Sequence, residues 1–120
     1  MSAQTKVSGV EPVNEVRLVG RVSQQPEERV LPSGDSVWVF RVVVGRSGER
    51  RPGARPGVDA LECAVWSGRV RRSVATWAVD DVVEVTGAVR RRFFRAGGAA
   101  ASRVEVEVVT GRLIRRAGSG

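Results

Sequence analysis

The sequence predicts an all-β domain, a five-stranded Greek-key β-barrel with one short helix between its third and fourth strands. Three observations lead there. Five segments alternate apolar and polar residues with the period-two rhythm of half-buried strands. Turn-forming clusters separate them. One stretch alone, between the third and fourth strands, repeats its apolar residues at helical spacing. A chain of 120 residues suits one domain with a modest core, and 42% hydrophobic residues argue against a disordered polymer.

Residues 1–11 are small and polar and are expected to be a disordered arm, with the folded domain at 12–116 and a disordered end at 117–120. In the first strand Val16, Leu18 and Val22 share one parity and Arg17 and Arg21 the other. Ser33, Gly34 and Asp35 make a turn, and a β-rich run at 37–44 comes next with Trp38 and Phe40 on one parity. Residues 46–57 hold three glycines, two prolines and four arginines and are expected to be a long mobile loop. The third strand, 58–66, sets Leu61, Cys63 and Val65 against Glu62, Ala64 and Trp66. Ser67 is placed to cap a helix in which Val70, Val74 and Trp77 recur at helical spacing. Asp80 and Asp81 turn the chain into a strand with Val83, Val85, Gly87 and Val89 inward and Glu84, Thr86, Arg90, Arg92 and Phe94 outward. After a small-residue loop at 96–101, Val104, Val106 and Val108 alternate with Arg103, Glu105 and Glu107. Three strands, a short helix and two strands is the layout of an OB-fold.

Composition narrows the function. The formal net charge is +7, Lys6 is the one lysine, and the remaining positive charge is arginine. Its planar guanidinium binds phosphate bidentately and stacks on bases, so a polyanionic partner is favoured. There is no histidine, one cysteine (Cys63, in the inward set), no metal-ligand cluster and no phosphate-loop motif. Catalysis is therefore not expected, nor is any cofactor or metal. A single cysteine precludes an internal disulfide, and no apolar run approaches membrane-spanning length. The first 13 residues lack the apolar core of a signal peptide, so a cytoplasmic setting with no membrane partner is expected.

Val89-Arg90-Arg91-Arg92-Phe93-Phe94-Arg95 combines four arginines and two rings. Guanidinium groups neutralise phosphates and exposed rings stack on unpaired bases, which a duplex hides, so the combination points to single-stranded nucleic acid. A solvated basic hairpin with its rings in the core is the equal alternative from this segment alone. Parity turns Trp66 and Phe94 outward, making them the candidate stacking residues. It turns Phe93 inward, towards packing at the barrel rim. Trp38 is assigned to the core or a subunit contact, and Trp77 to the core. Arg41, Arg90 and Arg92, with Arg46, Arg50, Arg51 and Arg55 of the loop, are the candidate phosphate contacts; Arg69, Arg71 and Arg72 fall on the helix.

The residues also carry a family resemblance. Asn14-Glu15-Val16-Arg17-Leu18-Val19-Gly20-Arg21-Val22 resembles the opening strand of bacterial single-stranded DNA-binding proteins, and Pro26-Glu27-Glu28-Arg29 resembles the proline, glutamate and arginine that come after that strand in the family. Ser33-Gly34 and Phe40 fit the next turn and strand. Leu61-Glu62-Cys63-Ala64-Val65-Trp66, Asp81-Val82-Val83-Glu84-Val85-Thr86-Gly87 and Val104-Glu105-Val106-Glu107-Val108 are similar to the third, fourth and fifth strands. The match runs from about Asn14 to Arg116. It implies an OB-fold binding unpaired DNA without sequence preference in replication, recombination or repair, with Trp66 and Phe94 at stacking positions. It also implies a homo-oligomer, a tetramer built from dimers, formed through the first strand around Val16, Leu18 and Val22. Family tails end in an acidic, hydrophobic tip; this sequence has no acid after Glu107, which puts tail-mediated recruitment in question. Two other readings stay open: a tailless accessory factor resembling primosomal replication proteins, and an OB-fold protein-assembly module. RNA stays open as well, because neither stacking nor phosphate contacts detect the 2′-hydroxyl.

Overall fold

The computed structural model describes residues 8–47, 52–53, 57–66 and 68–118. Its elements are β1 (Val16–Val30), β2 (Ser36–Gly45), β3 (Val58–Val65), α1 (Val70–Val74), β4 (Val82–Ala96) and β5 (Ala99–Arg115). The strands close a barrel in the order β1-β2-β3-β5-β4. The β3–β5 pairing is parallel and the others are antiparallel. This is the expected five-stranded barrel, with the helix between the third and fourth strands. Residues 1–7 of the expected arm and residues 119–120 of the expected tail lie outside the described residues, as do Ser67 and, in the loop, 48–51 and 54–56.

β1 is longer than its alternation indicates because it serves two neighbours. Its first part pairs with β4, from Val16 opposite Gly87 to Arg21 opposite Val82. From Arg21 onward it pairs with β2, with register shifts between Val22 and Gln24 and between Gln24 and Glu27. Pro26, which has no N–H to give a ladder, falls inside the second shift and is buried. A bulge is where a strand tolerates proline, so the strand continues to Val30 instead of stopping.

Val22, Phe40, Val42, Cys63, Val65, Val83, Val85, Val106 and Val108 fill the barrel, and the helix adds Val70 and Val74. Trp77 lies just past the helix and meets Phe40 edge-to-face, with ring centroids 5.5 Å apart at 87°. Trp38 is half-buried against this core. Three residues expected inside, Val16, Leu18 and Leu61, are half-buried instead. For Leu61 the reason is closure: β3 meets β5 only from Cys63 opposite Val106 onward, so Leu61 has a strand on one side alone.

Beyond the barrel, β4 and β5 continue as a two-stranded arm. β1 leaves β4 after Gly87, and two hydrogen bonds between the Asn14 side chain and the Val89 backbone (2.8 and 2.9 Å) hold the chain to β4 two residues further on. From Arg90 to Ala96, β4 is paired by β5 only. Gly97 and Gly98, with φ of 59° and 82°, form the tip, where a two-residue hairpin turn wants positive φ at both positions.

Candidate nucleic-acid interface

The outward parity of β2, β3, β5 and β4 assembles a single face. Register places Arg41 opposite Glu62, Ala64 beside Glu107, and Arg90 opposite Glu105. Trp66, directly after β3, joins this face beneath Arg92, and Phe94 extends it along the arm. An open cleft of about 410 Å³ lies across it, lined among others by Gln24, Arg29, Arg41, Glu62 and Arg103.

Both stacking candidates carry a guanidinium over the ring. The Arg92 guanidinium carbon lies 4.9 Å from the Trp66 centroid, and that of Arg103 lies 5.6 Å from the Phe94 centroid. Phe94 is 43% exposed. Trp66 is half-buried, and its indole Nε1–H is buried with no hydrogen-bond partner among the described residues. Trp66 lines a separate shallow depression with Gly68, Glu107, Val108 and Val109, and an unpaired indole donor there is suited to an acceptor on a ligand.

The arginines of this face are bound to carboxylates. Arg92 reaches Glu107 at 2.8 Å and Glu105 at 3.3 Å; Arg90 reaches Glu107 at 3.6 Å; Arg103 reaches Glu105 at 3.8 Å. Arg41 pairs with Glu62. These glutamates were visible in the alternation of the third and fifth strands, but their partners depend on inter-strand register. Arg46 is tied at the loop base to Asp59 at 2.9 Å, a pairing that raises its pKa, and its backbone N–H donates to the Gly57 carbonyl. Arg50, Arg51 and Arg55 lie outside the described residues. Arg71 bonds Glu28 and Ser36.

Phe93 corrects the sequence reading. It shares parity with Val85 and Val89, yet it is 78% exposed. Inward parity buries a residue only where a core lies on that side, and the arm has left the barrel by Arg90. Val89 and Val104 are exposed for the same reason.

The first-strand residues expected at an oligomer contact point towards the barrel interior of their own chain. Val22 is fully buried in the barrel of one chain, and Val16 and Leu18 pack against that core. The outward residues of this stretch are Arg17, Val19 and Arg21. Arg17 and Arg112 both donate to Glu84, and those two hydrogen bonds, Arg112's first, hold its carboxyl below the usual range against a smaller desolvation effect. Cys63 is inert: burial first, then Glu62 and Glu105, push its thiol up to about 12.

Residues 13–114 match the model of the single-strand binding protein family. The chain is 32% identical over 81 residues to Single-stranded DNA-binding protein 1 of Streptococcus agalactiae serotype III (strain NEM316), covering 67% of this chain and 48% of that protein. It is 37% identical over 54 residues to Single-stranded DNA-binding protein 2 of Listeria innocua serovar 6a (strain ATCC BAA-680 / CLIP 11262), covering 45% of this chain and 33% of that one. The chain thus spans about half the length, or less, of these relatives. Among solved structures, a Plasmodium falciparum SSB complex with ssDNA superposes with a TM-score of 0.70 at 20% identity, covering 88% of this chain and 96% of that chain. That likeness establishes the shared fold.

Proposed function

We propose, from the premise that this chain belongs to the single-strand binding protein family, that it binds single-stranded DNA without sequence preference. It would hold strands wherever replication, recombination or repair opens a duplex. One observation carries the reading: Trp66 and Phe94 stand on the same outward face, each with an arginine over its ring. A ring and a guanidinium together take a base and its phosphate, and neither group reads a base edge, so binding is tolerant of sequence. The chain acts by binding, with no catalytic step.

Arg41, Arg90, Arg92 and Arg46 are the phosphate contacts of this reading, joined by Arg103. Each must leave a carboxylate to take a phosphate, so binding proceeds by exchange of ion pairs. Copies of the chain assemble through β1 into dimers and then tetramers, with Arg17, Val19 and Arg21 on the contacting side.

Titrating the tryptophan fluorescence with an oligothymidine tests the proposal. Trp66 should be quenched as a base stacks, while Trp77, 1% exposed, stays bright. A duplex of equal length should bind far more weakly. No quenching and equal affinity for duplex would overturn the reading.

A further inference from the structure

We infer that the opposite face of the β4–β5 arm is a second contact surface for the same single strand, built from Arg91, Phe93 and Arg95. The inference rests on the single-strand reading and extends it to a face that parity had assigned to packing. Phe93 is 78% exposed, the largest value among the exposed large apolar side chains of the described residues. Arg91 and Arg95 flank it at two-residue intervals, so all three project from one side of β4, with the arginines about 13 Å apart and the ring midway.

Charge identifies the occupant. On the Trp66 face, Arg90, Arg92 and Arg103 are neutralised by Glu105 and Glu107. On the Phe93 face the arginines bond neutral groups: Arg91 donates to the Ser102 hydroxyl at 3.1 Å and Arg95 to the Gly98 carbonyl at 3.2 Å. Among the described residues neither forms an ion pair, and each guanidinium keeps further donors for a phosphate. A second copy of the chain suits this face poorly. A twofold contact sets a patch against itself and would bring these arginines against their own counterparts. A polyanion carrying flat bases complements both the cations and the ring. The strand would then leave the Trp66–Phe94 face and pass around the arm.

The test uses the full chain and oligothymidines of graded length, compared with Phe93→Ala, Phe93→Leu and the double variant Arg91→Ala/Arg95→Ala. On the shortest oligomer that still binds, Phe93→Ala should match wild type. On longer ones it should lose roughly five- to 150-fold, the range for one stacked base. Phe93→Leu should lose as much, because it keeps apolar bulk without a ring. The double arginine variant should lower the logarithmic salt slope by about 1.4, at about 0.7 per phosphate contact. Wild-type binding with all three variants unchanged at every length overturns this inference alone. Failure of the wild type to bind any oligothymidine overturns the single-strand reading and this inference with it. A Phe93→Ala chain of reduced native mass but unchanged affinity marks a contact between copies, and overturns it too.

Discussion

Arg92 rests its guanidinium 4.9 Å from the centroid of the Trp66 ring while its nitrogens bond Glu105 and Glu107. The ring that would take a base is thus partly covered by a cation that would take a phosphate, and that cation is held by two acids. Glu105 is 7% exposed and anchors the arrangement; Glu107, with a side chain 30% exposed, is the accessible competitor. On the proposed reading, binding a strand would replace a carboxylate by a phosphate at the same guanidinium.

Glu107→Gln should therefore tighten binding. The substitution keeps the shape and removes the charge that competes for Arg90 and Arg92, so affinity for oligothymidine should rise several-fold at low salt and less at high salt. Isothermal titration at two ionic strengths measures this. Weaker binding by the variant would show that Glu107 orients Arg92 productively rather than competing for it.

Trp66→Ala and Phe94→Ala should each weaken binding by about 1–3 kcal/mol with little change in salt slope. Arg90→Ala should instead lower the slope by about 0.7 with a modest loss of affinity. Equilibrium titration across a salt series separates the two signatures. If both ring variants bind normally and only arginine variants weaken, stacking is not the mechanism.

Assembly through β1 gives a third expectation. Val19 is 42% exposed between Arg17 and Arg21, on the outward side of the strand. Val19→Arg should lower the native mass in light scattering, because it sets an unpaired charge into a contact whose two arginines are already neutralised by Glu84 and Asp80. A wild-type monomer at micromolar concentration would remove the premise.

Much of this was legible in the sequence, and the residues show why the rest was not. Period-two alternation located the five strands and turned Trp66 and Phe94 outward, because side-chain direction along a strand is a local property. It misplaced Phe93, since parity tells which way a residue points but not whether a core awaits it there. The pairing of Arg41 with Glu62, or Arg92 with Glu107, depends on register between strands distant in sequence, which no local pattern encodes. The extension of β1 past Pro26 was hidden because a proline ends a regular ladder but not a bulged one.

Gly87 has a steric role that the alternation concealed by grouping it with the valines. A Cβ there would run into the backbone carbonyl of Glu107, at the register shift between Thr86 and Gly87 where the two long strands crowd together. Gly87→Ala should destabilise the fold by about 1–3 kcal/mol, the usual range for overpacking. Urea denaturation would measure it, and an unchanged midpoint would show that the bulge gives way freely.

Asp81 should contribute to the acid stability of the domain. It is 1% exposed, and its carboxylate accepts from the Ala78 and Ala117 amides at 2.9 and 2.8 Å and from Arg116 at 2.8 Å. Its own backbone carbonyl accepts from the Val22 amide at 2.9 Å, so the helix exit, the end of β5 and β1 converge on it. Desolvation, the largest single influence, would raise its pKa, but the Ala117 and Ala78 amides and Arg116 together outweigh it and hold it below the ordinary value. A depressed pKa means the folded state favours the ionised form. The resulting stability is fully present above the unfolded value of about 3.9 and is lost as pH falls through the folded one. Asp81→Asn should cost about 1–3 kcal/mol at neutral pH, because an amide accepts through one oxygen where the carboxylate used two. Glu84, also depressed, titrates in the same acid range in both proteins, so the comparison isolates Asp81. The difference in thermal midpoint between wild type and variant should shrink steadily below about pH 4. A difference that stays constant from about pH 7 to about pH 2 would mean that Asp81 stabilises by shape and not by charge.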